Sequence, residues 1–399
     1  MIKYFFPFLI LFCNQGKAVS FKGAIEKIKD HEALLQLERK SEALKEEAAL
    51  KGSWGDPKFK VSIKNLPSKS FKIDESPMSG IELGVSQKIP LTTKYNNLKK
   101  SIFSLANAKK FEKKNKEESF KKDLWSIIIL ERRLNKESKI LKESFIWINN
   151  ILKVSKKLYS NGKISQQALL EIEIRKTEIE REINNNKFEI LKAKDELKYF
   201  ISKNKIDMNS VPWKILDEKK NNYKDYKELA FKEMIKGKKF SVISNQLNFV
   251  PDLVLSAGFT KRSNLDGKGD LVSASVSFSL PLSFEKYSKK NKAVKEQEVL
   301  LNAYKNYKKL KKTKLLAIEK ETLKLKGELK ILNSKTIYYA KNSRSITSKS
   351  YGIGNSSYSE LLNSELKLQK ILMHKVMLEA RLALNKVKLK FIKGDDLNE

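Results

Sequence analysis

The stretch GIELGVSQKIPL, residues 80–91, alternates between apolar and polar side chains from Ile81 to Ile89. A period of two residues is typical of a β-strand that is apolar on one face only. The sequence on either side is rich in Lys and Glu at helical spacing, which predicts long helices. The stretch therefore predicts an amphipathic strand in a mostly helical chain, and it raises the question of what covers the apolar face.

Three further segments alternate in the same way, so the sequence predicts strands at 57–65, 80–90, 252–262 and 270–281. Each has roughly 9–11 residues, the length at which a tilted strand crosses a bilayer. The apolar faces are expected to meet lipid and comprise Phe59, Val61, Ile63, Ile81, Leu83, Val85, Leu253, Leu255, Phe259, Val276 and Phe278. The opposite faces are expected to line a water-filled lumen and comprise Lys58, Lys60, Lys64, Glu82, Ser86, Lys88, Ser256, Ser273, Ser275 and Ser277. The four lysines predict a preference for anions over free cations, which Glu82, Asp74 and Glu75 would offset.

Four strands cannot close a barrel by themselves. A sheet edge in hydrocarbon leaves backbone N–H and C=O groups unpaired, at a cost of several kcal/mol each. The alternative is a half-buried sheet that packs on helices, but the predicted helices use their apolar residues on one another. The shortage of covering residues favours a barrel that several copies of the chain share.

The chain repeats its own layout. Pro57 and Pro251 each introduce an alternating strand, VSQKIPL and VSFSLPL each close one, and LYSNGKISQQALL aligns with SYGIGNSSYSELL. The three offsets are 194, 191 and 192 residues, and landmarks in one order at nearly one offset indicate duplication. The predicted organisation is a signal peptide at 1–18, a first repeat at 19–204 and a second repeat at 205–399.

Each repeat is predicted to contain a leading helix, two strands and a long helical hairpin. The leading helices are placed at 21–51 and 223–246, the long helices at 94–158 and 284–348, and the return helices at 163–201 and 357–392. Apolar residues of the first return helix recur at coiled-coil spacing, namely Leu169, Ile172, Ile179, Ile183, Ile190, Leu197 and Ile201. A short Gly-containing turn between such helices predicts antiparallel hairpins over 94–201 and 284–392.

The composition combines strong basicity with an export signal. The chain carries 82 Lys and Arg against 47 Asp and Glu, a net charge of +35, but the two signs are interleaved as on solvated helix faces. The start, MIKYFFPFLILFCNQGKAVS, has an early lysine, a short apolar core and small residues before a site after Ala18, as in a cleaved secretory signal. Cleavage would remove Cys13, the only cysteine, and export argues against nucleic acid as a partner.

The pattern resembles the TolC-like outer-membrane efflux protein family over essentially all of the mature chain. GDPKFKVSIKNLP with GVSQKIPLTTK, and PDLVLSAGFTKR with DLVSASVSFSLPL, look like the two strand pairs of its heavy-metal (CusC/CzcC-like) branch. The resemblance implies a homotrimer whose twelve-stranded β-barrel is continued by an α-helical tunnel across the periplasm. It also implies passive efflux, with heavy-metal ions as the substrate class, outer-membrane lipid as surroundings and no cofactor.

LYSNGKISQQALLEIE and SYGIGNSSYSELLNSE look like the two periplasmic hairpin tips of the family, which dock with an adaptor protein and an inner-membrane pump. The residues expected to contact the adaptor are Tyr159, Asn161, Gly162, Lys163, Ile164, Ser165, Tyr351, Gly354, Asn355, Ser356, Ser357 and Glu360. Ile164 and Ile353 are predicted to be exposed apolar residues in otherwise polar turns. Members commonly have an acidic residue six positions after the tip glycine; Glu360 fits this pattern and Ala168 departs from it.

Enzymatic motifs are not found in the sequence. It contains no Cys/His cluster, GxxxxGK[ST] loop or GxSxG motif, and His31 and His374 are predicted to be solvated helix residues, so no catalytic or metal-binding residue is predicted. A periplasmic or secreted coiled-coil structural or adaptor protein is the main alternative, and it would fractionate as soluble. A nucleic-acid-binding coiled coil would need aromatic residues among its basic clusters.

Overall fold

The computed structural model describes residues 18–202, 205–218, 223–263 and 265–398, so the predicted signal peptide lies outside the described part except for Ala18. The helices are α1 (Phe21–Lys29), α2 (Glu32–Gly52), α3 (Lys94–Ser160), α4 (Gln166–Ile201), α5 (Tyr226–Leu247), α6 (Phe284–Ile331), α7 (Ile337–Gly352) and α8 (Tyr358–Lys393). The strands are β1 (Lys58–Lys64), β2 (Gly80–Pro90), β3 (Asp252–Arg262) and β4 (Leu271–Phe278). Short 3-10 segments lie at Ile73–Glu75 and Trp213–Leu216, and a π-helical turn at Leu332–Thr336 separates α6 from α7.

The chain divides into two compact units. One comprises 1–34, 116–225 and 310–399, and the other comprises 35–115 and 226–309. Each unit combines segments of both predicted repeats, because each repeat contributes its strands to one unit and its hairpin turn to the other. The repeat boundaries themselves stay a prediction from the sequence.

The second unit contains the sheet. The four strands are antiparallel neighbours in the order β1-β2-β3-β4, so β1 and β4 are the edges. Val61 lies opposite Leu83, Leu83 opposite Phe259, and Phe259 opposite Val272, which places one apolar residue of each strand in a single row. The alternation in the sequence thus becomes one apolar and one polar sheet face.

Helices α3 and α5 approach closely in this unit. A Cβ atom added to Gly237 of α5 would lie 2.8 Å from the carbonyl oxygen of Ser101, a distance that side chains do not tolerate. The Ser244 hydroxyl donates a hydrogen bond of 2.9 Å to the Lys94 carbonyl oxygen. Small residues therefore hold α5 against the start of α3, directly beside the sheet.

The first unit contains the two helical turns and a core around Trp125. Trp125 is fully buried against Phe21, and its indole N–H donates a 3.1 Å hydrogen bond to the Leu397 carbonyl oxygen. A second cluster, which includes Ile148, Ile172 and Leu361, lies near the turns. Of the apolar residues predicted at coiled-coil spacing on α4, Ile172, Ile179, Leu197 and Ile201 are buried, and Leu169, Ile183 and Ile190 are half-buried.

The leading helix at 21–51 is not continuous, and His31 is not solvated. α1 ends before Asp30, and α2 begins at Glu32. His31 is 9 % exposed, its Nδ1 atom accepts a hydrogen bond from the Ala33 N–H at 3.1 Å, and its ring lies 4.7 Å from that of Phe120. The prediction failed because the imidazole accepts a backbone hydrogen bond at the start of α2 and packs in the core. Helical spacing in the sequence does not reveal this role.

Helix α3 buries a carboxyl group, that of Glu131. Burial raises the pKa of Glu131 above its ordinary value, and the smaller opposing effects of Lys194 and Lys205 lower it. Ionisation of the Glu131 carboxyl group is therefore less favourable in the folded chain than in the unfolded chain. The protonated form contributes stability that is present at low pH and is lost as the pH rises toward the folded-state pKa.

Candidate functional site: a one-sided apolar sheet and two helical turns

The apolar face of the sheet is bare in the single chain. Phe59 is 68 % exposed, Val85 is 51 % exposed and Val276 is 60 % exposed. All three lie on the apolar face, as the alternation predicts. Of the predicted lipid-facing residues, all are exposed except Leu253, which is half-buried. A continuous exposed apolar patch across four strands is typical of a surface that meets lipid or a partner.

The polar face contains an ion-paired cluster centred on Glu82. Lys64 Nζ lies 2.6 Å from Glu82 Oε1, Lys60 Nζ lies 3.4 Å from Glu82 Oε2, and the Ser62 hydroxyl donates to Oε2 at 3.0 Å. Gly258 lies beside this carboxylate, and a Cβ atom there would be 3.1 Å from Glu82 Oε1. The glycine therefore leaves the space in which the carboxylate meets both lysines.

Lys88 is also paired, at the opposite end of the polar face. Its Nζ atom lies 2.9 Å from Asp252 Oδ2, whereas Lys58 forms no ion pair with any described residue. Three of the four lysines on this face are thus offset in part by two carboxylates. The anion preference predicted from the sequence counted Glu82 and missed Asp252, because only the strand register brings Asp252 to Lys88 and the start of α3.

The two helical turns share one backbone geometry. Gly162 has φ +70° and Gly354 has φ +84°, the left-handed conformation that glycine adopts without steric cost. The Lys163 N–H donates to the Leu158 carbonyl at 2.8 Å, and the Asn355 N–H donates to the Ser350 carbonyl at 2.9 Å. Each turn therefore ends its helix with the same six-residue hydrogen-bonded loop.

Serine caps the helix that follows each turn. The Ser165 hydroxyl accepts a hydrogen bond from the Ala168 N–H, and the Ser357 hydroxyl accepts one from the Glu360 N–H. The Glu360 carboxylate in turn accepts from the Ser357 N–H at 3.2 Å, which completes a capping box. Glu360 has a local structural role that Ala168, at the equivalent position of the first turn, cannot have.

Three of the predicted contact residues are not exposed, namely Tyr351, Ile164 and Ser356. Tyr351 is only 1 % exposed, and its hydroxyl bonds the Ser155 hydroxyl at 2.8 Å, while Ser155 donates to the Ile151 carbonyl. Ile164 is half-buried against the core beneath the turns, whereas Ile353 is 70 % exposed. The expectation that Tyr351 contacts an adaptor directly is wrong for this conformation, and so is that of an exposed Ile164, because both side chains fill the space between helices.

The remaining predicted tip residues lie on the surface of the turns. Those that are exposed are Tyr159, Asn161, Gly162, Lys163, Ser165, Gly354, Asn355, Ser357 and Glu360, and Ser356 is half-buried. The sequence did not predict the buried hydroxyl pair of Ser155 and Tyr351. The two residues are 196 positions apart in the chain, and only the fold brings them together.

Two features are absent from the described ranges 18–202, 205–218, 223–263 and 265–398. These ranges contain no group of three or more His, Cys, Asp or Glu side chains placed to hold a metal ion. In the same ranges, none of the helices has an apolar stretch of the length that a bilayer crossing needs.

The fold is similar to that of several outer-membrane proteins of known structure. CusC, described as forming a transmembrane channel, shares 13 % identity over 97 % of this chain and 96 % of its own, with a TM-score of 0.78. The outer-membrane protein VceC from Vibrio cholerae shares 13 % identity over 94 % and 96 %, with a TM-score of 0.77. The CmeC outer-membrane channel of Campylobacter jejuni shares 15 % identity over 95 % and 86 %, with a TM-score of 0.74.

At these identities the likeness concerns the fold, which is mainly helical with one small antiparallel sheet. No family model matches the chain, and no curated protein matches it.

Proposed function

We propose that this chain is the outer-membrane exit duct of a tripartite efflux system, exported by a cleaved signal peptide. The single observation that carries the proposal is the bare apolar face of a four-stranded sheet with two unpaired edges. Lipid would cover the face, and strands of other copies would satisfy the edges. The likeness of the fold to outer-membrane channels supports this assignment.

Fractionation of the producing bacterium tests the proposal. We expect the protein in the outer-membrane fraction, resistant to carbonate extraction, because the sheet is embedded in lipid. Recovery in the periplasmic or secreted soluble fraction would overturn it in favour of a coiled-coil structural protein.

The proposed assembly is a homotrimer, and an exposed apolar stripe on α6 and α7 supports it. The stripe recurs every seven or eight residues and comprises Leu316, Leu323, Ile331, Tyr338 and Ile346, which are 52–68 % exposed. Two helical turns span about 7.2 residues, so these residues follow one face. The π-helical turn at Leu332–Thr336 absorbs one extra residue and keeps the two halves of the stripe in phase.

Helix α4 offers a matching surface. Leu170, Ile174, Phe188 and Leu191 form an exposed stripe, each between 44 % and 61 % exposed. α4 carries eight acids and seven bases, whereas residues 310–353 carry three acids and eleven bases. This difference in charge favours contact between α4 of one copy and α6–α7 of the next rather than between two identical faces.

Paired cysteines test this contact. Leu170 and Ile346 each lie eight residues from a tip glycine, Gly162 or Gly354, so Leu170→Cys with Ile346→Cys should give disulfide-linked oligomers up to three copies. Leu170→Cys with Leu316→Cys is the control at mismatched height and should not cross-link. A trimer without cross-links at the matched pair would mean that other surfaces join the copies.

Adaptor docking at the two turns is the third part of the proposal. Exposed Ile353 supports it, and a single variant can test it because Ile353 touches little of its own chain. Ile353→Asp should abolish adaptor co-purification while trimers persist, whereas Asn355→Asp adds the same charge at a polar position and should leave binding intact. Normal adaptor binding by Ile353→Asp would exclude the exposed isoleucine from the docking surface.

The proposed substrate class is heavy-metal ions, and the strand motifs GDPKFKVSIKNLP and GVSQKIPLTTK support this choice. Deletion of the gene should sensitise the bacterium to metal salts more than to organic drugs. Equal sensitivity to both, or to drugs alone, would exclude the metal assignment and leave the duct itself in place.

A further inference from the structure

A cavity of about 430 Å³ lies where the sheet meets the first turns of α3 and α6. Lys88 of β2, Lys94 of α3 and Lys286 of α6 contribute three ammonium groups to its lining. Asn248, Ser277 and Ser279 add an amide and two hydroxyl groups, which can donate hydrogen bonds. The lining is therefore rich in donors and in positive charge.

Asp252 is the only carboxylate in this lining, and its oxygens are already engaged. Lys88 Nζ lies 2.9 Å and the Tyr95 hydroxyl 2.9 Å from its Oδ2 atom, and Lys94 Nζ lies 2.8 Å from its Oδ1 atom. The side chains of Lys94 and Asp252 are each 9 % exposed. Lys286 forms no ion pair with any described residue, so the lining keeps a surplus of two positive charges.

The positions of two of these lysines add to the surplus. Lys94 and Lys286 lie in the first turns of α3 and α6, where the helix dipole disfavours cations and favours anions. α3 has no acidic residue in its first turn. The Tyr95 ring, 5.3 Å from Lys88 Nζ and 5.5 Å from Lys94 Nζ, holds both ammonium groups at the cavity.

We propose that this cavity binds an oxyanion, that is, a phosphate or carboxylate group, with Lys286 as the main free ligand. Ammonium, hydroxyl and amide donors that surround one already engaged carboxylate are suited to an acceptor with several charged oxygens. The volume holds a group of this size together with water.

The register of the strands favours a soluble anion over a lipid headgroup. Lys88, Val254 and Ser277 lie opposite one another in a row on the polar face, and all three line the cavity, whereas Phe278 is the only lining residue from the apolar patch. This choice of source rests on the proposed function, in which the polar face lines the lumen. The site itself rests on the cavity and its charges.

The test is calorimetric titration of the detergent-extracted full chain with inorganic phosphate at constant ionic strength. Wild-type protein should bind phosphate saturably, and Lys286→Gln should weaken the affinity at least tenfold. Lys289→Gln is the matched control. Lys289 lies about one turn further along α6 than Lys286 and pairs with Glu285, so this variant removes the same charge outside the cavity and should retain the affinity.

Absence of phosphate binding by the wild-type protein, together with absence of phosphatidylglycerol retention that depends on Lys286, would overturn the site. An equal loss in both variants would overturn it as well, because only the general field of the protein would then be involved. Retention of phosphatidylglycerol that depends on Lys286, without phosphate binding, would contradict the soluble source. Each of these results could be obtained with a trimer in the outer membrane, so each would leave the proposed duct in place. A soluble monomer that binds phosphate would refute the proposed duct and leave the anion site in place.

Discussion

Replacement of Val85 by arginine separates a lipid-embedded sheet from a solvated one. Val85 lies at the middle of β2, opposite Phe59 on β1 and Ala257 on β3, and its side chain is 51 % exposed in the single chain. If water covers the face, an arginine replaces a side chain that is already half in solvent, and the cost should stay within about 0.5 kcal/mol.

If lipid covers the face, the same arginine is placed near the middle of the bilayer. The expected cost is about 2–4 kcal/mol, which corresponds to roughly a 30-fold to 700-fold change in the folding equilibrium of each copy. The costs predicted for a lipid-covered face and for a water-covered face therefore differ by more than the error of a denaturation experiment.

The matched control is Ser256→Arg. Ser256 lies on the polar face, near the middle of β3, with Ser86 and Ser275 as its cross-strand neighbours. Ser86 itself is a poorer choice, because Lys58 is its cross-strand partner and would repel a new cation. We expect Ser256→Arg to assemble like the wild type.

The assay is urea denaturation of each variant after folding into phospholipid vesicles, combined with recovery from the outer-membrane fraction. Val85→Arg should shift the midpoint strongly and disappear from the membrane, whereas Ser256→Arg should do neither. Equal behaviour of the two variants would refute the assignment of the faces.

Three further predictions concern the helical unit. Glu131→Gln should raise the free energy of unfolding at pH 7–8, by about 1.4 kcal/mol for each pH unit by which burial raises the pKa of Glu131, and it should flatten the loss of stability as the pH rises from 4. Glu143→Gln, at an exposed site of the same helix, should have neither effect. Equal behaviour of the two variants would refute the burial of a carboxylate at Glu131. Tyr351→Phe should cost about 1 kcal/mol in urea denaturation, since it removes one buried hydrogen bond and leaves the ring in place, and an unchanged midpoint would mean that the bond adds no stability. Gly354→Ala should destabilise the chain by about 1–2 kcal/mol because of its left-handed backbone, whereas Gly352→Ala, two residues earlier at the end of α7, should be neutral or stabilising; the same sign for both would contradict the turn geometry.

The strands and the turns could be predicted from the sequence because their signals are local. β2 and β3 have the predicted bounds, since each alternates over most of its length and has a proline at one end, Pro90 in β2 and Pro251 just before β3. Gly162 and Gly354 adopt the left-handed conformation expected of a glycine between two helices. The split of the apolar and polar residues between two sheet faces follows from the same alternation.

The features that the sequence did not predict depend on residues far apart in the chain. Tyr351 looks like a polar turn residue until Ser155, 196 residues away, is placed beside it. The pairing of Lys60 and Lys64 with Glu82 requires the register of β1 and β2. The π-helical turn at Leu332–Thr336 has no local signal, and only the phase of the exposed stripe on either side gives it a purpose.

Native mass spectrometry of the protein ejected directly from isolated outer membranes tests the central claim most directly. The proposed account predicts a species of three copies that have lost the signal peptide and survive in mild detergent. A monomer, or absence of the protein from those membranes, would contradict the assignment of this chain as a trimeric outer-membrane duct.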